Sequence, residues 1–249
     1  MIELIQGDCL EVMKNISDKS INCIICDLPY GRTQNRWDSV IPFDILWENY
    51  NRIIKDNGAI LLFADGLFMA ELMLSNKKMW RYNLVWDKVL TSGFLNANKQ
   101  PLRQHEEIVV FYKKQPTYNP QKVKGAVNHS KGKPKENNNN NYNSYKWVDN
   151  VDKLGDMKHP KSIITFSKPH PSTMIHPTQK PLDLLEWLVK TYTNENDLVL
   201  DNCMGSGSTG VACNNLNRNF IGIEKDENYF EMAKNRIEKI KNNNINIDK

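Results

Sequence analysis

Two strings near opposite ends of the chain carry residue types that chemistry needs: Asp27-Leu28-Pro29-Tyr30, and the run from Asp201 to Gly210, DNCMGSGSTG. In the first, an apolar stretch, INCIIC, ends on a carboxylate, a stiff proline and an aromatic ring. A carboxylate beside a main-chain carbonyl can accept both hydrogens of an exocyclic amine and so orient the nitrogen lone pair. A tyrosine face can hold a flat base by stacking. The same residue types also make an ordinary strand-to-turn junction, so the string acquires meaning only beside the second one.

That second string, LVLDNCMGSGSTGVAC, reads as a short apolar strand, a glycine turn and a helix start, with Gly205, Gly207 and Gly210 in the spacing G-x-G-x-x-G. Glycines at these positions let the backbone approach a ligand closely. Glu224, fourteen residues beyond Gly210 at the end of NFIGIE, could accept hydrogen bonds from ribose hydroxyls. A nicotinamide dehydrogenase shows the same pattern. Here, however, only about forty residues follow the glycines, too few for the rest of a dinucleotide-binding domain in its usual order.

The elements that must position these strings are legible as alternating apolar runs. Strands are expected at 2–5, 21–26, 59–63, 83–86, 108–112, 198–200 and 220–223. Helical patterns lie between several of them: PFDILWENYNRIIKDNG, expected to end on Gly58, GLFMAELMLSNKK, and the C-terminal DENYFEMAKNRIEKIKNN. The alternation implies an α/β fold, a Rossmann-like sheet of about seven mostly parallel strands with helices on both faces. In such a sheet Asp27 stands at the carboxyl edge, where ligands bind.

Composition narrows the class. With 249 residues and 40% hydrophobic content, one main domain with a good core is expected. There is no apolar run of membrane-spanning length, and MIELIQGDCLEV lacks the layout of a secretory leader, so a cytoplasmic protein is expected. Five cysteines, an odd number, do not form a disulfide framework. Cys23 and Cys26 form a CxxC, but they lie in an apolar strand with no second ligand pair nearby, and the expectation is buried thiols without metal.

Charge is unevenly spread. Lys113 to Lys168 holds twelve lysines and four acids, a net +8, which leaves −4 for the remaining chain. Charge gathered in this way attracts phosphate without specifying sequence. The segment 115–172 also breaks the strand–helix rhythm, being rich in Lys, Asn, Pro and Tyr. It divides the chain into 1–114 with 173–249 and a basic insert, whose polar tip around 131–143 is expected to be disordered. Tyr142, Tyr145, Trp147, SIITF and KPH follow the tip and are expected chiefly to anchor the insert.

With both strings in place, the chain resembles the amino-group DNA methyltransferases that use S-adenosylmethionine, in the permuted beta-class order with the catalytic motif first and the cofactor motif last. The family tetrapeptide is usually D-P-P-Y; here Asp27, Pro29 and Tyr30 match and Leu28 replaces the first proline. Cys203 stands where the family usually has an aromatic residue, two before the first glycine. HPTQKP, at 176–181, matches the family segment that precedes the cofactor motif.

The resemblance implies catalytic roles for Asp27, Pro29 and Tyr30. It places Asp201, Gly205 and Gly207 at the methionine and ribose part of S-adenosylmethionine, Cys203 at the cofactor-binding position that packs the adenosine, Glu224 at the ribose hydroxyls and Asp8 at the adenine amine. Thr178 and Lys180 fall near the methionine carboxylate. Asp8 reads equally as the cap of a helix beginning near Cys9, and Lys180 as a solvated residue before a helix. By the same resemblance the partner is DNA, the insert is the target-recognition region, a homodimer is plausible, and the setting is prokaryotic or phage-encoded; one chain does not disclose whether a restriction enzyme is a partner. The favoured target is adenine N6, with cytosine N4 as the alternative. Methylation of RNA or of a protein glutamine amide, and a DNA-binding pseudo-methyltransferase, are the remaining readings. Carbon-5 cytosine methylation is disfavoured, because it needs a nucleophilic cysteine, often in a Pro-Cys pair, which the sequence lacks.

Overall fold

A computed structural model describes residues 1–31, 38–127, 155–168 and 179–247, with side chains up to Lys239. All seven expected strands form and join an eighth. The elements run β1 Ile2–Gln6, α1 Cys9–Val12, β2 Ile21–Cys26, α2 Phe43–Ile53, β3 Ile54–Ala64, α3 Gly66–Ser75, β4 Trp80–Ser92 and β5 Arg103–Phe111. They continue with β6 Val123–Lys124, β7 Met157–Lys158, β8 Ile163–Thr165, α4 Leu182–Tyr192, β9 Leu198–Asp201, α5 Ser208–Asn215, β10 Asn219–Glu224 and α6 Glu227–Ile247. No described helix is long and apolar enough to cross a membrane.

The main sheet has the order β1-β10-β9-β2-β3-β5-β4-β8. It is parallel from β1 through β3, antiparallel where β5 pairs with β3 and β4, and parallel again between β4 and β8. Period-two alternation sends side chains to two separate core layers. In β2, Ile24 and Cys26 face the layer holding Leu46, Tyr50 and Phe68 of α2 and α3, while Cys23 and Ile25 face the layer holding Leu184, Leu188, Val211 and Ala233 of α4, α5 and α6. The two CxxC thiols therefore point to opposite sides of the sheet. The helices cover it through stripes at helical spacing, such as Leu46, Tyr50 and Ile53 of α2 and Leu184, Leu188 and Tyr192 of α4, all buried.

Two expectations about boundaries are corrected. The helix expected to run to Gly58 stops at Ile53, because Ile54 is extended and buried in register with Ile21, and a register shift follows before Cys23 meets Ala59. Gly58 serves close packing here instead of ending a helix: a Cβ on it would lie 2.7 Å from Ile54 Cδ1 and 2.9 Å from the Asn22 carbonyl. SIITF, assigned from sequence to the insert, supplies β8, paired with Val85 to Asp87 of β4.

Pro120–Lys161 forms a second compact unit, narrower than 115–172, in which β6 and β7 pair antiparallel. Asn119 belongs to the main body, its amide donating to the carbonyls of Lys190 and Thr193. The tip expected to be disordered, with Tyr142, Tyr145 and Trp147, lies outside the described residues.

Candidate active site and cofactor cleft

The sheet order reverses between β9 and β2. From β9 the chain winds outward through β10, and from β2 it winds the other way to β3. Adjacent parallel strands that diverge like this leave a crevice at their carboxyl ends. Asp201 ends β9 and Asp27 follows β2, so the two strings of the sequence meet at one crevice. It is a cleft of about 620 Å³, bordered by Asp8, Asp27, Pro29, Tyr30, Lys180, Asp201, Cys203, Gly205 and Glu224. Thr178 lies outside the described residues.

On the glycine side, the loop is fixed from several directions. The fully buried Asp201 accepts from Thr209 Oγ1 at 2.7 Å and from the Cys203 amide at 3.2 Å. Tyr50 of α2 donates to Asn202 Oδ1 at 2.5 Å. Arg236 of α6 donates to the Ser206 carbonyl at 3.1 Å and to Ser208 Oγ at 2.8 Å. Gly207 caps α5 at φ +73°, where a Cβ would lie 2.9 Å from Ala233 Cβ. It serves the packing of α5 on α6 and is not among the residues bordering the cleft. Glu224 Oε2 accepts from the Gly205 amide at 2.8 Å and Oε1 from the Asp226 amide at 2.9 Å. Burial pushes the Asp201 carboxyl up to about 7 and that of Glu224 above the usual carboxylate range.

Asp8 has the capping role weighed in the sequence, its Oδ1 accepting from the Leu10 amide at 3.0 Å, while Oδ2 pairs with Lys225 at 3.0 Å. Cys203 is half-buried, takes a hydrogen bond from Asn202 Nδ2 at 3.5 Å, and shares an interaction with the thiols of Cys9 and Cys26. The position therefore presents sulfur, not an aromatic face, to the cleft.

On the other side, Tyr30 donates to Asp27 Oδ1 at 2.8 Å and stacks on Phe68 of α3, with centroids 4.7 Å apart and planes 26° apart. Burial, with Asp27 next to it, pushes the tyrosine hydroxyl well above its ordinary value. Lys180 does not extend into solvent: its side chain is 12% exposed and its Nζ lies 2.8 Å from Asp27 Oδ2 and 3.3 Å from Glu106 Oε2. The ammonium also lies 4.8 Å from the Phe63 ring centroid and 5.9 Å from that of Trp86.

Sequence reasoning missed three residues of this cluster. Glu106 of β5 is approached by Lys88 of β4 at 3.1 Å and by Lys168 at 3.8 Å, besides Lys180. Burial alone would raise its carboxyl, but Lys180, Lys88 and Lys168 more than offset that and hold it at about 2. Lys88 is 1% exposed, a depth at which lysine occurs only when paired. One available signal was parity, since Lys88 follows the buried Leu84 and Trp86 at two-residue steps, and Glu106 precedes the buried Ile108 and Val110 in the same way.

The family profile described as DNA methylase, of N6/N4 type, matches residues 21–235. Among curated relatives, the Type II methyltransferase M1.MboII of Moraxella bovis is 27% identical over 253 residues, covering 92% of this chain and 93% of that protein. The Type II methyltransferase M.HpaI of Haemophilus parainfluenzae is 27% identical over 266 residues, covering 98% and 77%. Among solved structures, the M1.HpyAVI–SAM complex is similar with a TM-score of 0.63 and 27% identity, over 95% of this chain and all of that one. The cytosine-N4-specific PvuII DNA methyltransferase shares the fold with a TM-score of 0.69 at 15% identity, over 94% and 85%.

The chain belongs to the DNA methylase family, as an S-adenosylmethionine-dependent methyltransferase that acts on an amino group in DNA. The residues present fit that cofactor. The glycine turn, Asp201 and Glu224 line one wall of a cleft large enough for a nucleoside-sized ligand, and Gly205 sits at φ +50° with its amide on Glu224.

Proposed function

We propose that the chain transfers the methyl group of S-adenosylmethionine to N6 of adenine in DNA, with Asp27, Pro29 and Tyr30 as the residues that receive the base. The observation that carries the reading is that Asp27, at the end of β2, borders the same cleft as the β9 glycine loop. The cofactor, when bound, supplies an electrophilic methyl group. This chain's own residues then have to orient a nitrogen lone pair toward it.

The target base leaves the duplex stack to reach the cleft. Tyr30 has one ring face on Phe68 and its hydroxyl on Asp27, and the base is assigned to its other face. Asp27 and the Pro29 carbonyl take the two hydrogens of the exocyclic amine, and the nitrogen attacks directly. Positioning and electrostatics provide the catalysis, without a covalent enzyme intermediate. Asp201, Cys203, Gly205 and Glu224 serve the cofactor, with Asp8 at its adenine end. The basic insert, whose compact unit is Pro120–Lys161, is the target-recognition region. Preference for adenine over cytosine rests on the aspartate at the first position of DLPY.

The test is incubation with methyl-labelled S-adenosylmethionine and unmethylated genomic DNA, then nucleoside digestion and mass analysis, with Asp27→Ala alongside. N6-methyladenine from the native chain and none from Asp27→Ala is the expected result. N4-methylcytosine would transfer the mechanism to the other amine. Substantial turnover by Asp27→Ala would remove Asp27 from the chemistry.

A further inference from the structure

Resemblance alone puts Lys180 beside the methionine carboxylate of the cofactor, but the structure sets it on two carboxylates of the protein. Its three ammonium hydrogens face Asp27 Oδ2 at 2.8 Å and Glu106 Oε2 at 3.3 Å, with the rings of Phe63 and Trp86 against its side. Glu106 is held in turn by Lys88, which is fully buried and comes from the neighbouring antiparallel strand, where Trp86 is in register with Glu106. Lys168 is the outlying member, at 3.8 Å and with a more exposed side chain. The cluster thus forms a chain, Lys88 to Glu106 to Lys180 to Asp27, running from the β4–β5 pair to the end of β2.

We infer that Lys180 is a positioning residue for Asp27 and not a cofactor ligand, and that Glu106, fixed by Lys88, is the positioning residue that keeps Lys180 there. This rests on the reading of Asp27 as the acid that orients the target amine. Asp27 receives Tyr30 on Oδ1 and Lys180 on Oδ2. Two donors on different oxygens fix the rotation of a carboxylate, which one donor leaves free, and small errors in the placement of a reacting group are costly. Moving Lys180 onto a ligand carboxylate would leave Glu106 and Asp27 less compensated in a largely enclosed space, which opposes that move.

The experiment uses the full chain with S-adenosylmethionine and unmethylated genomic DNA. Cofactor affinity is measured by titration calorimetry, and the methyl-transfer rate in single turnovers at saturating cofactor and DNA. Lys180→Met should lower the maximal rate by about tenfold or more, the scale of one lost charge-assisted hydrogen bond, while the Kd for S-adenosylmethionine stays within about threefold. Lys180→Gln, which keeps a donor toward both carboxylates, should recover part of that rate. Glu106→Gln should lower the rate in the same direction, again with little change in Kd.

A Lys180→Met chain whose Kd rises about tenfold with its maximal rate near native would overturn the inference and return Lys180 to the cofactor. A native rate in Glu106→Gln would remove Glu106 from it. Should Lys180→Met fail to fold, Lys180→Gln and Glu106→Gln carry the same decision. Turnover by Asp27→Ala would instead defeat the underlying reading, and the Kd of Lys180→Met would still decide separately whether Lys180 serves the cofactor.

Discussion

Replacing Glu106 by glutamine also makes a stability prediction that the electrostatics of the cluster determine closely. The folded-state carboxyl is at about 2 against an ordinary value of 4.5. At 1.36 kcal/mol per pH unit, that depression corresponds to about 3 kcal/mol of stability at neutral pH. The side chain is only 15% exposed, so solvent screening takes little from this figure. Because the folded value lies below the unfolded one, the contribution is complete above pH 4.5, falls as the pH drops, is half lost near pH 3 and is gone below about 2. A protonated Glu106 and the amide that replaces it in Glu106→Gln are near-isosteres with the same charge, so the two chains should converge in acid. Urea unfolding followed by tryptophan fluorescence, with Trp86 beside the cluster as a reporter, should give a difference of about 3 kcal/mol at pH 7. The same difference should appear at pH 5.5, and about half of it near pH 3. In thermal unfolding at pH 7 the midpoint should fall by about 6 to 12 °C for a chain of this length. A difference that is independent of pH, or below about 0.5 kcal/mol at pH 7, would refute the view that three lysines hold this carboxylate ionised.

The buried Asp201 predicts the opposite slope. Its folded value, raised by burial to about 7 from 3.8, means that the proton stabilises the folded chain. The cost of ionisation therefore grows from pH 4 to pH 7, reaches about 4 kcal/mol and stays constant above. Asp201→Asn should gain stability relative to the native chain across that interval, and parallel stability–pH curves for the two would rule out an ionisable Asp201 of this kind. Gly207→Ala combines a positive φ of 73° with a Cβ 2.9 Å from Ala233 Cβ, which a rigid neighbour cannot relieve. A loss of about 2 to 4 kcal/mol is expected. Adding Ala233→Gly should recover only the part of the packing loss due to Ala233 Cβ, because Ile237 Cδ1 at 3.0 Å stays and glycine inside α6 costs about 1 kcal/mol, as differential scanning calorimetry would show. A midpoint unchanged in Gly207→Ala would contradict the close contact of α5 and α6.

What the sequence disclosed were features whose signal is local. Apolar runs of three to six residues bounded by turn formers gave the strands 2–5, 21–26, 198–200 and 220–223 almost to the residue. The two strings with special residue types each sit at a strand's carboxyl end, so a correct strand also located its site residues. Misreadings arose where non-local pairing decided the outcome. Ile54 leaves the helix because Ile21 lies beside it across the sheet, and β8 is a strand only because β4 offers an open edge for it. Neither partner is near in sequence, and Ile163–Thr165, with only Ile164 buried and lysines on either side, carries too little apolar pattern to declare itself.

The lysine–glutamate cluster shows the same division in a form that could have been read further. Charges within strands ordinarily suggest a solvent face, and neither Lys88 nor Glu106 is among the residues singled out from the sequence. Yet Leu84 and Trp86 of β4 and Ile108 and Val110 of β5 all enter the layer with Cys23 and Ile25 of β2. Lys88 within β4, Glu106 within β5 and Asp27 just past the end of β2 each continue that parity by one step. A lysine and two acids that extend three core-facing rows cannot remain buried apart, because an unpaired charge there is prohibitively costly, so they must meet. What parity cannot supply is strand order. Only the placement of β3 between β2 and β5 sets Asp27 and Glu106 on the two strands that flank Phe63, within reach of a single lysine from the segment before α4.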